Sequence, residues 1–185
     1  MGLALLVVGA TLAFVTVTYN ALARLRLLTR NAWADIDVQL KRRHDLIPAL
    51  VSAVKGHAGY ERDSLEALVQ ARSRAVAAAG PAAAGNAERE LAGTVRQLFA
   101  VAEAYPDLKA AESFLSLQRS LSDTENNIEN ARRYYNAVVR DLNVKTAQFP
   151  SNLVASAFGF RPAEFFGLDD AAERGAPTID SGSGK

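Results

Sequence analysis

The chain has 185 residues, a formal net charge of +1, no cysteine, 49% hydrophobic residues and only 8% aromatic ones. That length holds one small domain beside a membrane segment. The absence of cysteine excludes disulfides, thiolate metal sites, thiol nucleophiles and lipidated cysteines, and the balanced, dispersed charge excludes a nucleic-acid footprint. Much of the hydrophobic content is alanine, which favours closely packed helices over a sheet, so the expected class is all-α.

From Gly2 through Thr18 there is no charge, and Leu3, Leu5, Leu6, Val7, Val8, Leu12, Phe14, Val15 and Val17 make the run apolar on every face. Carried on to Leu22 it reaches roughly 20 residues, about 30 Å as a helix and so the thickness of a bilayer's hydrocarbon core. Residues 1–22 are therefore read as a transmembrane helix, with residues 3–22 in contact with lipid. Tyr19 sits where an interfacial aromatic belongs, and Arg24, Arg26 and Arg30 come after it. The positive charge after the segment predicts a cell-membrane protein with its N-terminus outside and the rest cytoplasmic. These arginines either fix topology alone or also touch anionic headgroups. The rival reading is a secretory signal cleaved at Ala21-Leu22-Ala23, although the positive n-region of such signals is missing.

No glycine or proline separates this segment from the residues after it, so the helix continues through Leu25, Leu28, Ala32, Ile36 and Leu40. Pro48 interrupts it in one of two ways. Either Asp45 caps a new helix with Pro48 in its first turn, or the proline kinks a continuous one. Ile47, Leu50, Val51 and Val54 share a stripe in both cases. Gly56 and Gly59 weaken the helix, and Glu61 to Val76 resumes it with Leu65, Leu68 and Val69 inward.

Between Ala77 and Asn86 the run AAAGPAAAGN reads as a loop or a ragged helix end that can vary without harming the core. Helical period returns from Glu88 to about Glu103 through Leu91, Val95, Leu98, Phe99 and Ala102, and breaks at Tyr105-Pro106-Asp107, with Asp107 as N-cap. Beyond it runs a seam in steps of four and three: Ala110, Phe114, Leu117, Leu121, Thr124, Ile128, Ala131, Tyr135, Val138 and Leu142. Helices of this length with short breaks must pack antiparallel, so residues 23–168 are expected to form an up-and-down four-helix bundle. Past Phe149-Pro150 the apolar stretch Leu153 to Phe160, with Phe165 and Phe166, should fold back on the bundle or the membrane surface. Residues 169–185 read as a disordered tail.

Two stretches carry a likeness to a known family. The first is Asn31-Ala32-Trp33-Ala34-Asp35-Ile36-Asp37-Val38-Gln39-Leu40-Lys41-Arg42-Arg43 with Asp45-Leu46-Ile47-Pro48. The second runs from Tyr105-Pro106 and Leu108-Lys109 through Leu117-Gln118, Thr124-Glu125-Asn126, Ile128 and Ala131-Arg132-Arg133-Tyr134-Tyr135-Asn136 to Phe149-Pro150-Ser151-Asn152. In these motifs the chain resembles LemA proteins, from the membrane segment to about Leu168. The resemblance implies an N-terminal membrane helix, a small outer N-terminus and an antiparallel helical domain. It brings no catalytic residue with it.

The chemistry that a helical bundle can house is sparse here. Di-iron bundles use Glu-x-x-His pairs, and no glutamate has a histidine three residues on. With only His44 and His57 available, the best metal pair is His57 with Glu61, which is too few ligands for a tight site, so no cofactor, metal or catalytic residue is expected. Asp35 and Asp37 point to different helix faces, which suits solvated carboxylates rather than acid/base partners. Lys41-Arg42-Arg43 either binds phosphate or lipid or pairs with acidic side chains on neighbouring helices. The C-terminal Ser-Gly-Ser-Gly-Lys lacks the spacing of a phosphate loop. Thr124 falls on the seam, flanked by Glu125 and Asn126, with Arg132, Arg133, Tyr134 and Asn136 one or two turns further on. This is either a satisfied polar layer that fixes register or a partner-binding patch. The expected function is a membrane-anchored scaffold or adaptor that binds another protein, with self-association possible. The alternative is an enzyme or ligand-binding bundle with an unrecognised polar pocket.

Overall fold

The computed structural model describes residues 1–56 and 62–167, which are helical throughout their regular structure. The helices are α1 (Gly2–Lys55), α2 (Arg62–Ala77), α3 (Pro81–Ala102), α4 (Pro106–Ala110), α5 (Glu112–Ala147) and α6 (Ser151–Ala157). The expected tail from residue 169 and the His57–Glu61 pair lie outside the described residues.

Helix α1 has 54 residues, so membrane segment and first bundle helix form one rod about 80 Å long. Among the described residues it is the one helix long and apolar enough to cross a membrane. Pro48 does not stop it, and Asp45 caps nothing. A proline in mid-helix leaves the carbonyl four residues earlier without its amide partner. That carbonyl belongs to His44, and the Arg72 side chain on α2 supplies the missing donor, its Nε bonding His44 O at 2.8 Å. The interruption in α1 thereby becomes a docking point for α2.

The sequence breaks fall slightly differently from expectation. Proline at the first helical position costs nothing, because its N–H would be unpaired there anyway. Pro81 therefore starts α3 inside the run expected to be a loop or a ragged helix end, and only residues 78–80 connect the helices. Asp107 lies inside α4, after Pro106, and the true junction before α5 is the extended Ala111. Ala110 consequently leaves the seam and is exposed, and Leu117 and Ala131 are only half-buried, whereas Phe114, Leu121, Thr124, Ile128, Tyr135, Val138 and Leu142 are buried. Val69 points outward on α2, while Leu65 and Leu68 point in.

The core has three levels along the rod. At the far end α1, α2, α3 and α5 pack as a bundle around Ile47, Leu50, Val54, Leu68, Leu91, Leu98 and Phe114. Helices α2 and α3 are too short to flank the whole of α5, so the middle level is closed differently. There Ala32, Ile36, Ile128, Tyr135 and Val139 are covered by Ala84 and by Phe166 from the chain's return segment. Trp33 lies against both the Tyr135 and Phe166 rings, with centroids 5.7 Å away. The level next to the membrane segment joins Leu22, Leu142, Val154, Ala155 and Phe160. The apolar stretch after Pro150 has folded back on the bundle, as its composition suggested. Leu22 is fully buried in this level, so cleavage at Ala23 would remove part of the core.

Two asparagines seven residues apart on α5 hold the return segment by imitating a backbone partner. Asn136 donates to Phe166 O at 3.1 Å and accepts from Phe166 N at 3.0 Å. Asn143 does the same with Ala163, at 3.0 and 2.8 Å. Tyr135 adds a hydroxyl bond to Glu164 O at 2.8 Å, and burial first, then the charge of Glu164, pushes the Tyr135 phenol up to about 12. Gly85 allows the segment to lie this close, since a Cβ there would collide with the backbone of Gly167. Residues 84 and 85, in a run that reads as freely variable, are thus buried against the return segment.

Candidate functional site

Arg43 occupies a core position on α1, in register with Ile36, Leu40, Ile47, Leu50 and Val54 at steps of three and four, and is 4% exposed. An ion so placed requires partners, because desolvation alone would be prohibitive. Glu88 fills the matching core position on α3, between Ala84 and Leu91, and accepts from Arg43 Nη1 at 3.0 Å. Its other oxygen meets His44 Nε2 at 2.5 Å. The second Arg43 nitrogen pairs with Glu125 on α5, whose side chain stays half-exposed. Burial pulls the Arg43 guanidinium below its usual value, the hydrogen bond and charge of Glu88 oppose this, and nearby Arg96 adds to the lowering. One cluster therefore ties α1, α3 and α5 together.

Beside the cluster, α3 and α5 part to leave a cavity of about 480 Å³. Val95, Phe99, Leu115 and Leu121 give it an apolar floor. Its polar boundary carries Arg43, Arg96, Arg119 and Glu125, three cations against one carboxylate, with Gln118, Ser122 and Asn126. Arg43 is shared between Glu88 and Glu125, while Arg96 and Arg119 form no ion pair among the described residues. A smaller cavity of about 160 Å³ continues the groove past Glu88 and Arg132 to Gly167, sharing Arg43, Ala92, Arg96 and Glu125 with the first. The arrangement suits an apolar ligand that carries negative charge.

The six residues of the expected patch do not share one surface. Glu125 and Asn126 border the larger cavity and Arg132 the smaller. Arg133 and Tyr134 are exposed and line neither, with Arg133 paired to Glu129 at 3.3 Å. Asn136 is buried and spends both ends of its amide on Phe166. Thr124 is satisfied within its own helix, donating to Ser120 O at 2.7 Å. Of the basic run, Arg43 pairs with acidic neighbours, while Lys41 and Arg42 are exposed. Asp35 and Asp37 are both exposed. Among the described residues no three His, Asp or Glu side chains converge on a metal position.

Arg96, Arg119 and the Glu88–His44 contact were not singled out from sequence. The signal present was two core positions of opposite charge, Arg43 and Glu88, each interrupting an apolar stripe.

Comparison with known proteins agrees with the motifs. The model of the LemA family matches residues 32–180. The chain is 24% identical to magnetosome protein MamQ 2 of Paramagnetospirillum magneticum, over 90% of this chain and 71% of that protein. It is 25% identical to magnetosome protein MamQ of Magnetospirillum gryphiswaldense, over 83% and 67%. It is 28% identical to Protein LemA of Metamycoplasma hominis, over 74% of this chain and 63% of the relative.

Proposed function

The chain belongs to the LemA family, and we propose that it serves as a membrane-tethered adaptor that receives a segment of a protein partner in the groove between α3 and α5. It is a LemA-type membrane-associated protein, and the finer reading rests chiefly on one observation. The groove joins an apolar floor to two arginines, Arg96 and Arg119, that form no ion pair among the described residues. Tyrosine, arginine and desolvated apolar pockets are the usual anchors of protein interfaces, and the surplus positive charge selects an acidic, apolar segment. The arginines after the membrane segment support a cytoplasmic bundle at the cell membrane, with the N-terminus outside.

The test is a photo-crosslinking residue at Ser122, inside the groove, with a second at Tyr134 on the exposed face, both in the full-length protein in its native membrane. The expected result is a crosslink at position 122 to one discrete protein segment rich in acidic and apolar residues, abolished by Arg96→Glu with Arg119→Glu. Circular dichroism checks that the variant stays helical. Capture of only lipid or a small molecule at position 122, or a crosslink indifferent to charge reversal, would overturn the reading. Crosslinking confined to position 134 would move the contact to the exposed Arg133–Tyr134 face.

A further inference from the structure

The end of the bundle nearest the membrane segment is not shaped like the end of a water-soluble domain. Helix α6 and its flanks pack on α1 beside Thr18 to Leu25, and three large side chains there remain uncovered: Phe149 (75% exposed), Leu153 (61%) and Phe158 (52%). The first charge on α1 after the apolar run is Arg24. A spanning helix places such a residue at the headgroups and its aromatics at the acyl boundary. Phe158 meets Tyr19 edge-on, with ring centroids 5.0 Å apart, and Phe160 meets the same ring at 5.5 Å. Tyr19 lies more than a helical turn to the membrane side of Arg24, about 7 Å at 1.5 Å per residue. A side chain stacked on Tyr19 therefore shares its depth.

We propose that Phe149, Leu153 and Phe158 form a foot seated in the acyl–headgroup boundary of the same phospholipid bilayer that α1 crosses. The occupant of this face is lipid because the face is continuous with the membrane helix itself. The polar surroundings agree. The Arg26 guanidinium sits 4.8 Å above the Phe160 ring, Arg24 also lies on α1, Lys145 is in the last turn of α5 and Arg161 follows Phe160, cations of the sign that anionic headgroups attract. The bundle is thus held at two points, a continuous helix and an inserted foot, which fixes its tilt. This inference is independent of the groove and of any protein partner.

The absence of cysteine allows single nitroxide labels without background. Phe149→Cys, Leu153→Cys and Phe158→Cys would be labelled in the full-length protein, one copy per nanodisc of phosphatidylcholine and phosphatidylglycerol. Val69→Cys, exposed on α2 at the far end, serves as the aqueous reference. The foot labels should be several-fold more accessible to oxygen than to a water-soluble nickel chelate, with the ratio reversed at position 69. A second readout avoids labelling: Phe158→Trp in a Trp33→Phe background should be quenched by bromine carried on the lipid acyl chains. Foot labels as open to nickel as position 69, together with an unquenched tryptophan, would overturn the proposal. Protection that appears only when another protein shares the disc would equally overturn it, in favour of a protein contact.

Discussion

Replacing Arg72 by alanine should reveal how α1 tolerates a proline in its interior. The Arg72 side chain donates to His44 O at 2.8 Å, the carbonyl that Pro48 cannot serve. A hydrogen bond from a charged donor contributes roughly 1.5–3 kcal/mol, and a partly buried carbonyl left alone costs about 1–3 kcal/mol. Arg72→Ala should therefore destabilise the protein by about 2 kcal/mol. In a Pro48→Ala background the new amide at position 48 can bond the same carbonyl, restoring the α-helical ladder. There Arg72→Ala should cost less than about 1 kcal/mol, leaving a coupling of roughly 1–2 kcal/mol between residues 48 and 72. The assay is denaturant unfolding of the four full-length proteins in one detergent, monitored by circular dichroism. Equal cost of Arg72→Ala in both backgrounds would refute the account, because the two residues would then not share an acceptor.

The buried cluster should be asymmetric. Glu88→Ala strands the Arg43 charge with only the half-exposed Glu125 and should cost near the lower end of the roughly 3–5 kcal/mol seen for broken buried pairs, whereas Glu125→Ala should cost under about 1 kcal/mol in the same unfolding assay. Two glycines on α3 should respond with opposite signs. Gly85→Ala would strike the Gly167 backbone and destabilise by about 1–3 kcal/mol, while Gly93→Ala, with no close neighbour, should stabilise by about 0.5–1 kcal/mol, both read as shifts in thermal midpoint. Tyr135 sets an alkaline limb. Its phenol is raised in the folded state to about 12, from an unfolded value near 10, so the unfolded chain loses its proton first. The contribution is complete below about pH 10 and fades as pH rises toward about 12. Tyr135→Phe, which also removes the bond to Glu164 O, should flatten that limb in a pH series of unfolding midpoints.

The helices and the membrane rod were legible because their signals are local: an unbroken charge-free run, and apolar steps of three and four along α3 and α5. What sequence could not place was the pairing of distant polar groups. Asn136 and Asn143 look like surface residues beside a seam, and only the return of residues 163–166 shows that both are backbone mimics. The alanine-rich run before Asn86 suggested free variation because alanine and glycine carry no packing signal, yet Gly85 is required there by the close approach of Gly167. The groove was illegible for a related reason. Its existence depends on α3 standing apart from α5, and neither helix encodes that separation in its own periodicity. Arg43 was the exception, a charge written into an apolar stripe, and Glu88 its complement on another.

The foot and the groove constrain each other through the continuous helix α1, on which both pack. Arg24 marks the headgroup level and Arg43 the groove, on one continuous helix, so the groove stands roughly 30 Å above the bilayer at 1.5 Å per residue. On the adaptor reading, a partner anchored in the same membrane must bridge that height before its acidic segment can reach Arg96 and Arg119. An extended tether of about nine residues, at roughly 3.3 Å each, is the minimum that can do so. A foot that holds the rod's tilt keeps this distance constant. If Phe149, Leu153 and Phe158 were made polar together, the groove would be intact but its height would vary. Crosslinking at Ser122 to a membrane partner with a short tether should then fall, while a soluble peptide of the same segment should bind as before.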